Sequence, residues 1–352
     1  MQPQQPSVRS VSTSGSGSSA VPSDPPVTAA APGVTSGDSG ATGGAEAAVI
    51  SYSTTVEAGG PLAGAMAALE AEAVGDPAAA AAAKRSVDLA VVQFAPYTDK
   101  SANLAMLREH VRDAAEHGAR VVIAPEYTMF AVSRLDQRAV AAAEPLTGPF
   151  VGELRGLAAE FGVHLVAGVV ETPGGAETGR VYNTLVVTDP DAQLVAVYRK
   201  VHLYDAFGGG ESAVLLPGPI EEPATFTVGD VTFGLQTCFD VRFPEGCRRV
   251  ATAGAHVLVV PAQWIPGPLK VEQWRTLLHA RAIENTVYVA AADHAAPRGA
   301  GTSTIVDPAG SVLAELGEQT GIATARIDLD HLDRIRSTNP SLSLRRFTIE
   351  PK

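Results

Sequence analysis

Short apolar, β-branched runs recur along the chain from position 87 onward, and stretches with helical spacing separate them. Val87–Phe94 predicts a strand, and Ser101–His117 predicts an amphipathic helix with Leu104, Leu107 and Val111 on one face. Val121–Ala124 predicts the next strand, Pro149–Phe161 a helix opening on proline, and Val163–Val170 a further strand. Thr184–Thr188 and Leu194–Tyr198 read as a hairpin around Asp189-Pro190-Asp191. Thr225–Val228 and Val231–Gln236 form another pair, turned by Gly229-Asp230. Glu245–Ala253 and Leu269–Asn285 read as helices, each followed by an apolar strand, His256–Val260 and Val287–Ala291. Thr304–Val306 and Ser311–Ala314 pair around Asp307–Gly310, and Ala323–Ile327 is the last strand. Helices alternating with buried strands predict an α/β fold in which helices cover sheets. No repeat is visible in the residues themselves.

Composition divides the chain near residue 85. Residues 1–50 hold 31 Gly, Ser, Pro or Ala, and the stretch 1–83 has a single aromatic, Tyr52, and a single basic residue, Arg9. Seven acids there give it −6 of the chain's net −12. Such a stretch buries too little apolar area to offset ordering entropy, so residues 1–85 are expected to be a disordered tail and 86–352 a folded domain. Pro61–Val74 and Pro77–Arg85 are Ala-rich and could form transient helices. The tail shows no basic segment leading into an apolar one, and no run of about 18 apolar residues occurs, so no secretory leader and no membrane span are expected. Two cysteines without a framework suit a reducing cytoplasm. The acidic balance argues against nucleic acid as a partner.

Three strand ends carry chemistry. Val121-Val-Ile-Ala-Pro125-Glu126 ends in a carboxylate, Val195-Ala-Val-Tyr-Arg-Lys200 in an ammonium, and Val231-Thr-Phe-Gly-Leu-Gln-Thr-Cys238 in a thiol. In open α/β sheets functional groups gather beyond strand ends, and a carboxylate, an ammonium and a thiol together could supply base, oxyanion donor and nucleophile. Taken singly, each also has an ordinary reading: a helix cap for Glu126, a solvated lysine for Lys200, a small buried hydrophobe for Cys238. Cys247, one helical stretch further on, reads as structural. His202, His256, His279 and His294 lack the spacing of a metal site, and none stands in a Cys–His protease signature.

On these segments the chain resembles the nitrilase superfamily of carbon–nitrogen hydrolases over about residues 87–352. The resemblance implies a four-layer αββα sandwich and a Glu126–Lys200–Cys238 triad. Glu126 would be general base, Lys200 the oxyanion stabiliser and a group favouring the Cys238 thiolate, and Cys238 the nucleophile. Glu211, in Phe207-Gly-Gly-Gly-Glu211, matches a second glutamate that orients the lysine. Arg281-Ala-Ile-Glu284-Asn285 matches a largely structural motif, and Gln263 with Trp264 matches a pocket wall. Phe239 with its backbone N–H, Tyr204, Trp264 and Arg242 are the expected substrate contacts, Arg242 through a forked pair with a substrate carboxylate. Cys238-Phe-Asp-Val-Arg-Phe-Pro-Glu245, and the Arg336 to Arg346 spacing of arginines and proline, look most like the omega-amidase branch. The implied activity is hydrolysis of a small carboxylate-bearing amide to acid and ammonia through a thioester, without cofactor or metal. N-carbamoyl amino acid hydrolysis and a non-catalytic scaffold are the alternatives. The expected partners are a small-molecule amide and further copies of the chain, as a homodimer or larger homo-oligomer.

Overall fold

The computed structural model describes residues 84–174 and 179–352, all within the second of two compact units, Val56–Lys352. The tail reading and its Ala-rich helices at 61–83 lie outside the described residues. Lys84 and Arg85, counted with the tail above, are tied to the domain. Asp230 N donates to Lys84 O (2.8 Å), and Arg85 pairs with Asp330 (2.8 Å) and Asp333 (2.6 Å).

The chain forms β1 (Ser86–Gln93), α1 (Lys100–Glu116), β2 (Val121–Ile123), α2 (Gln137–Ala142), α3 (Pro149–Phe161), β3 (His164–Glu171), β4 (Tyr182–Thr188) and β5 (Leu194–Arg199). It continues as β6 (Thr225–Val228), β7 (Val231–Leu235), α4 (Pro244–Thr252), β8 (Val257–Pro261) and α5 (Lys270–Asn285). Last come β9 (Tyr288–Ala292), β10 (Thr304–Val306), β11 (Val312–Glu315), β12 (Gly321–Asp328) and α6 (Leu329–Thr338). The strands make two six-stranded sheets, ordered β12-β1-β2-β3-β4-β5 and β6-β7-β8-β9-β10-β11. Across each sheet in that order the ladders run antiparallel, parallel, parallel, antiparallel, antiparallel. The two halves therefore share one topology, a repeat of architecture that the residues do not advertise.

Strand alternation builds the layers. Val87, Leu89 and Val91 of β1 face the second sheet and pack with Phe233, Leu235, Val257 and Val259. Ala90 and Val92 face outward and meet Leu107 and Val111 of α1 and Leu154 and Leu157 of α3. On the far side Leu258, Val260 and Val289 meet Val250 of α4 and Trp274, Leu278 and Ala282 of α5. Helix, sheet, sheet and helix stack in that order, which is the expected αββα sandwich. Local chemistry sets the helix ends. Asp99 caps α1 by accepting from Ser101 and Ala102 N–H; Pro149 opens α3, and Gly162 closes it in left-handed backbone. α2 and α6 were not foreseen. Each offers a short apolar stripe, with Ala139 alone buried on α2 and Leu329 and Leu332 on α6.

Candidate active site

Glu126 and Cys238 line one cavity of about 430 Å³, and Lys200 reaches it through Glu126 and Glu211. After β2 the chain passes through Pro125 to Glu126, and Tyr127 turns it back in left-handed backbone (φ 56°). Gly168 of β3 makes room for that turn: a Cβ there would lie 2.4 Å from the Tyr127 amide nitrogen. After β7, Cys238 opens a 3₁₀ turn over Cys238–Arg242, with its own backbone left-handed (φ 47°). A positive φ at a non-glycine residue is costly and needs a surrounding framework to hold it. That framework is Asp240. Its fully buried carboxylate accepts from Thr237 N–H (3.1 Å), Tyr198 Oη (2.7 Å) and His202 N–H (2.9 Å), and meets His202 Nδ1 at 2.7 Å. It thus fastens the cysteine turn to the loop that follows Lys200. Arg281 supports the same turn from α5 by donating to Val241 O (2.9 Å).

Lys200, 1 % exposed, sits between two carboxylates. Its ammonium donates to Glu126 Oε1 (3.0 Å) and to Glu211 Oε1 and Oε2 (3.0 and 2.9 Å). Glu126 also accepts from Asn183 Nδ2 at Oε1 (2.6 Å) and from the Gln263 N–H at Oε2 (2.7 Å). Glu211 accepts from Tyr127 Oη (3.1 Å) and Tyr204 N–H (2.7 Å). Burial works against the Lys200 ammonium, but Glu126 and Glu211 outweigh it and hold its pKa well above the ordinary value.

The Cys238 thiol, 7 % exposed, lies 3.8 Å from Gln263 O. Burial, and then the charge of Glu126, push its pKa well above the ordinary value, while Lys200 pulls the other way. Lys200 acts in the expected direction, favouring the thiolate, but desolvation and the adjacent glutamate act more strongly. Cys247 is buried in the α4 core, and burial lifts its thiol to about 12.

Glu126, Glu211, Cys238, Phe239, Tyr204, Gln263 and Trp264 all line the cavity, and Lys200 stands behind its two glutamates. Arg242 does not line it. Its guanidinium lies against the wall, 4.7 Å from the Trp264 ring centre, and donates to Gln273 Oε1 (2.7 Å) rather than to Asp240 or Glu245. The arginines at 336 and 345 bond to Thr286 O (3.0 Å) and Leu342 O (2.9 Å) and brace the C-terminal segment. Residues not foreseen include Asn183, Asp240, Tyr127 and Lys270. Asp293 and His294 follow β9 in the same way that Glu126 follows β2. Asp293 accepts from Trp264 N–H (2.7 Å), and His294 Nε2 meets Glu126 O at 2.6 Å. Burial lowers the His294 pKa to about 4, so the ring is neutral and its Nε2 donates to that carbonyl. Among the described residues no group of three His, Cys, Asp or Glu side chains has the arrangement of a metal site, and no helix is long and apolar enough to cross a membrane.

The sequence profile of carbon–nitrogen hydrolases matches residues 88–337, nearly the whole described domain. The chain belongs to the carbon–nitrogen hydrolase family. Hydrolase Rv0480c of Mycobacterium tuberculosis is 39 % identical over 264 residues, 70 % of this chain and 91 % of that protein. The human deaminated glutathione amidase is 36 % identical over 288 residues, 77 % of this chain and 86 % of its own length. Among solved structures, Saccharomyces cerevisiae Nit3, of branch 10 of the nitrilase superfamily, superposes with a TM-score of 0.65 at 29 % identity, covering 75 % of this chain and 97 % of that one. This carbon–nitrogen hydrolase is therefore an enzyme of the amidase type with the nitrilase-superfamily fold.

Proposed function

We propose that the enzyme hydrolyses a small, carboxylate-bearing amide through a thioester on Cys238, with Glu126 and Lys200 completing the catalytic set. The observation that carries this reading is the placement of a thiol and a fixed carboxylate in one cavity. Both Glu126 oxygens are held, by Lys200, Asn183 and the Gln263 N–H, so the carboxylate cannot swing away from the cavity it shares with Cys238. Because the resting sulfur is protonated, attack requires a base, and Glu126 is the carboxylate in position to accept that proton. The sulfur then bonds to the amide carbon. Lys200 and the Phe239 N–H, at the open end of the 3₁₀ turn, hold the oxygen as it gains charge. Glu126 returns the proton to the departing nitrogen, the C–N bond breaks, and the acyl group stays on sulfur. Glu126 next takes a proton from water, whose oxygen attacks the thioester carbon. The acid leaves, and the proton returns to sulfur.

Glu211 is the positioning residue in this scheme. It touches Lys200 and the Tyr204 backbone, so it fixes where the ammonium points. The same reading extends to a homodimer as the working form, pairing through helices that flank the site. Relatives named deaminated glutathione amidase make an acid-bearing amide a natural substrate class. The test is release of ammonia or amine from a panel of dicarboxylic monoamides, deaminated glutathione and N-carbamoyl amino acids. Turnover that survives Cys238→Ala would reject the mechanism, and preference for the carbamoyl compounds would move the substrate class.

A further inference from the structure

Lys270, at the start of α5, lines the cavity and is buried, 8 % exposed. Among the described residues its ammonium has no carboxylate within ion-pair distance, and its one hydrogen bond is a long contact with Tyr204 Oη (3.5 Å). Three aromatic rings surround it instead: Trp264 at 4.7 Å, Phe207 at 5.1 Å and Tyr204 at 5.2 Å from their centres. Arg242 approaches the same Trp264 ring at 4.7 Å and the Phe207 ring at 5.4 Å, and its buried Nε has no partner. Two cations thus share one aromatic wall without an acid between them. The acids that line the cavity, Glu126 and Glu211, are both turned to Lys200. A buried, unpaired ammonium is costly, and ring faces offset only part of that cost.

We propose that Lys270, backed by Arg242, is an anion subsite that receives the carboxylate of the substrate at the end away from the scissile amide. This rests on the amidase reading of the cavity and extends it by naming the residue that selects the substrate class. The geometry suits that role. The ammonium keeps donors free for an incoming oxygen. Phe207, carried on a three-glycine loop and 71 % exposed, covers both cations from the solvent side. The same loop ends in Glu211, which holds Lys200, so one segment spans the anion subsite and the oxyanion donor. Burial, and then the neighbouring Arg242, lower the Lys270 pKa. An arriving carboxylate opposes both effects and restores the charged form.

The test uses a matched pair of amides, succinamate and butyramide, which differ in carboxylate against methyl at the far end. In the wild-type enzyme the kcat/KM ratio should favour succinamate. Lys270→Met should cut that ratio by roughly ten- to a hundredfold, the value of one charge-assisted hydrogen bond in a desolvated site. Lys270→Arg, which keeps the charge, should retain most of it. A readout free of turnover runs beside this: succinate should slow iodoacetamide alkylation of Cys238 in the wild type, and lose that effect in Lys270→Met. Succinate that gives the wild type no protection overturns the subsite, as does an unchanged ratio in a Lys270→Met protein with a normal melting curve. If protection is seen while neither amide is turned over, the subsite stands and the amide reading fails. If both amides are hydrolysed with equal preference and nothing protects, the amide reading stands and the subsite falls.

Discussion

Replacing Lys200 with methionine tests the arrangement at the centre of the site. The change removes an ammonium that is 1 % exposed and lies 2.9–3.0 Å from oxygens of two carboxylates. Methionine fills most of the volume, so the effect is electrostatic rather than a cavity. Glu126 and Glu211 are then left facing each other out of water, and breaking a buried ion pair by deleting one partner costs about 3–5 kcal/mol. With a urea slope of about 3 kcal/mol per molar for a domain of this size, the midpoint should fall by about 1–1.7 M at pH 8. The pH dependence carries the sign. In the variant one carboxylate has a raised folded-state pKa, so its penalty is full at high pH and shrinks as pH falls toward the unfolded carboxylate range. The deficit should therefore be smaller at pH 5 than at pH 8. In the wild type the Lys200 pKa is raised, so its contribution is complete below the ordinary lysine value of 10.5 and is lost only above it. Adding Glu211→Gln to Lys200→Met should recover part of the midpoint, because the two sites share one interaction. A midpoint within about 0.3 M of wild type, or an equal deficit at both pH values, would refute the charge argument.

Further outcomes follow from the same geometry. Iodoacetamide should label Cys238, which lines the cavity, once per chain and spare Cys247, which is buried in the α4 core; mass spectrometry showing Cys247 modified with activity retained would move the nucleophile. In Glu126→Gln turnover should be lost, yet the pH midpoint of Cys238 alkylation should move down, since one of the charges that raise the thiol pKa is gone; an upward move would contradict it. Deleting residues 1–83 should leave the melting midpoint of the domain unchanged, whereas a deletion through 85 should lower it, because Lys84 and Arg85 bond to Asp230, Asp330 and Asp333. Sedimentation should give a dimer at micromolar concentration; a fully active monomer would remove the assembly from the proposal.

The parts of the site that lie at strand ends were legible, and the parts that depend on distant partners were not. Glu126, Lys200 and Cys238 each follow an apolar run whose pattern is local, and the sequence places them at the ends of β2, β5 and β7, where they stand. The αβ alternation also reads locally, and most element bounds fall within two residues of the expected ones. Asn183 looks like any polar residue near a strand start until Glu126, 57 residues earlier, accepts its amide. Asp240 resembles a helix-start acid and instead bonds Tyr198 and His202, about 40 residues away. Lys270 carries no local signal at the start of its helix; Tyr204, Phe207 and Trp264 arrive from two separate loops to bury it. Arg242 shows the same limit from the other side. Its place after the cysteine suggested a forked pair with a substrate carboxylate, but Gln273 of α5 engages it and Trp264 stacks on it.

The shared topology of the two halves explains why the proposed base and nucleophile come from different sheets. In each half three parallel strands, β1-β2-β3 and β7-β8-β9, end on the same side, and the loops beyond them carry the chemistry. Glu126 follows β2 of the first sheet. Cys238, Gln263 and His294 follow β7, β8 and β9 of the second. The halves are stitched together at that end: Phe94, just past β1, bridges to His294, His294 bonds to Glu126 O, and Gln263 N–H bonds to Glu126 Oε2. The spacing of carboxylate and thiol is thus fixed by how one sheet sits on the other. That seating depends on the apolar layer between them, where Leu89, Val91 and Ile123 meet Phe233, Leu235 and Val259. Close packing leaves such a layer few alternative arrangements, so a change of volume there shifts one sheet against the other. A small displacement of reacting groups costs far more in rate than in stability. The inter-sheet core is therefore part of the proposed catalytic geometry, although none of its side chains lines the cavity.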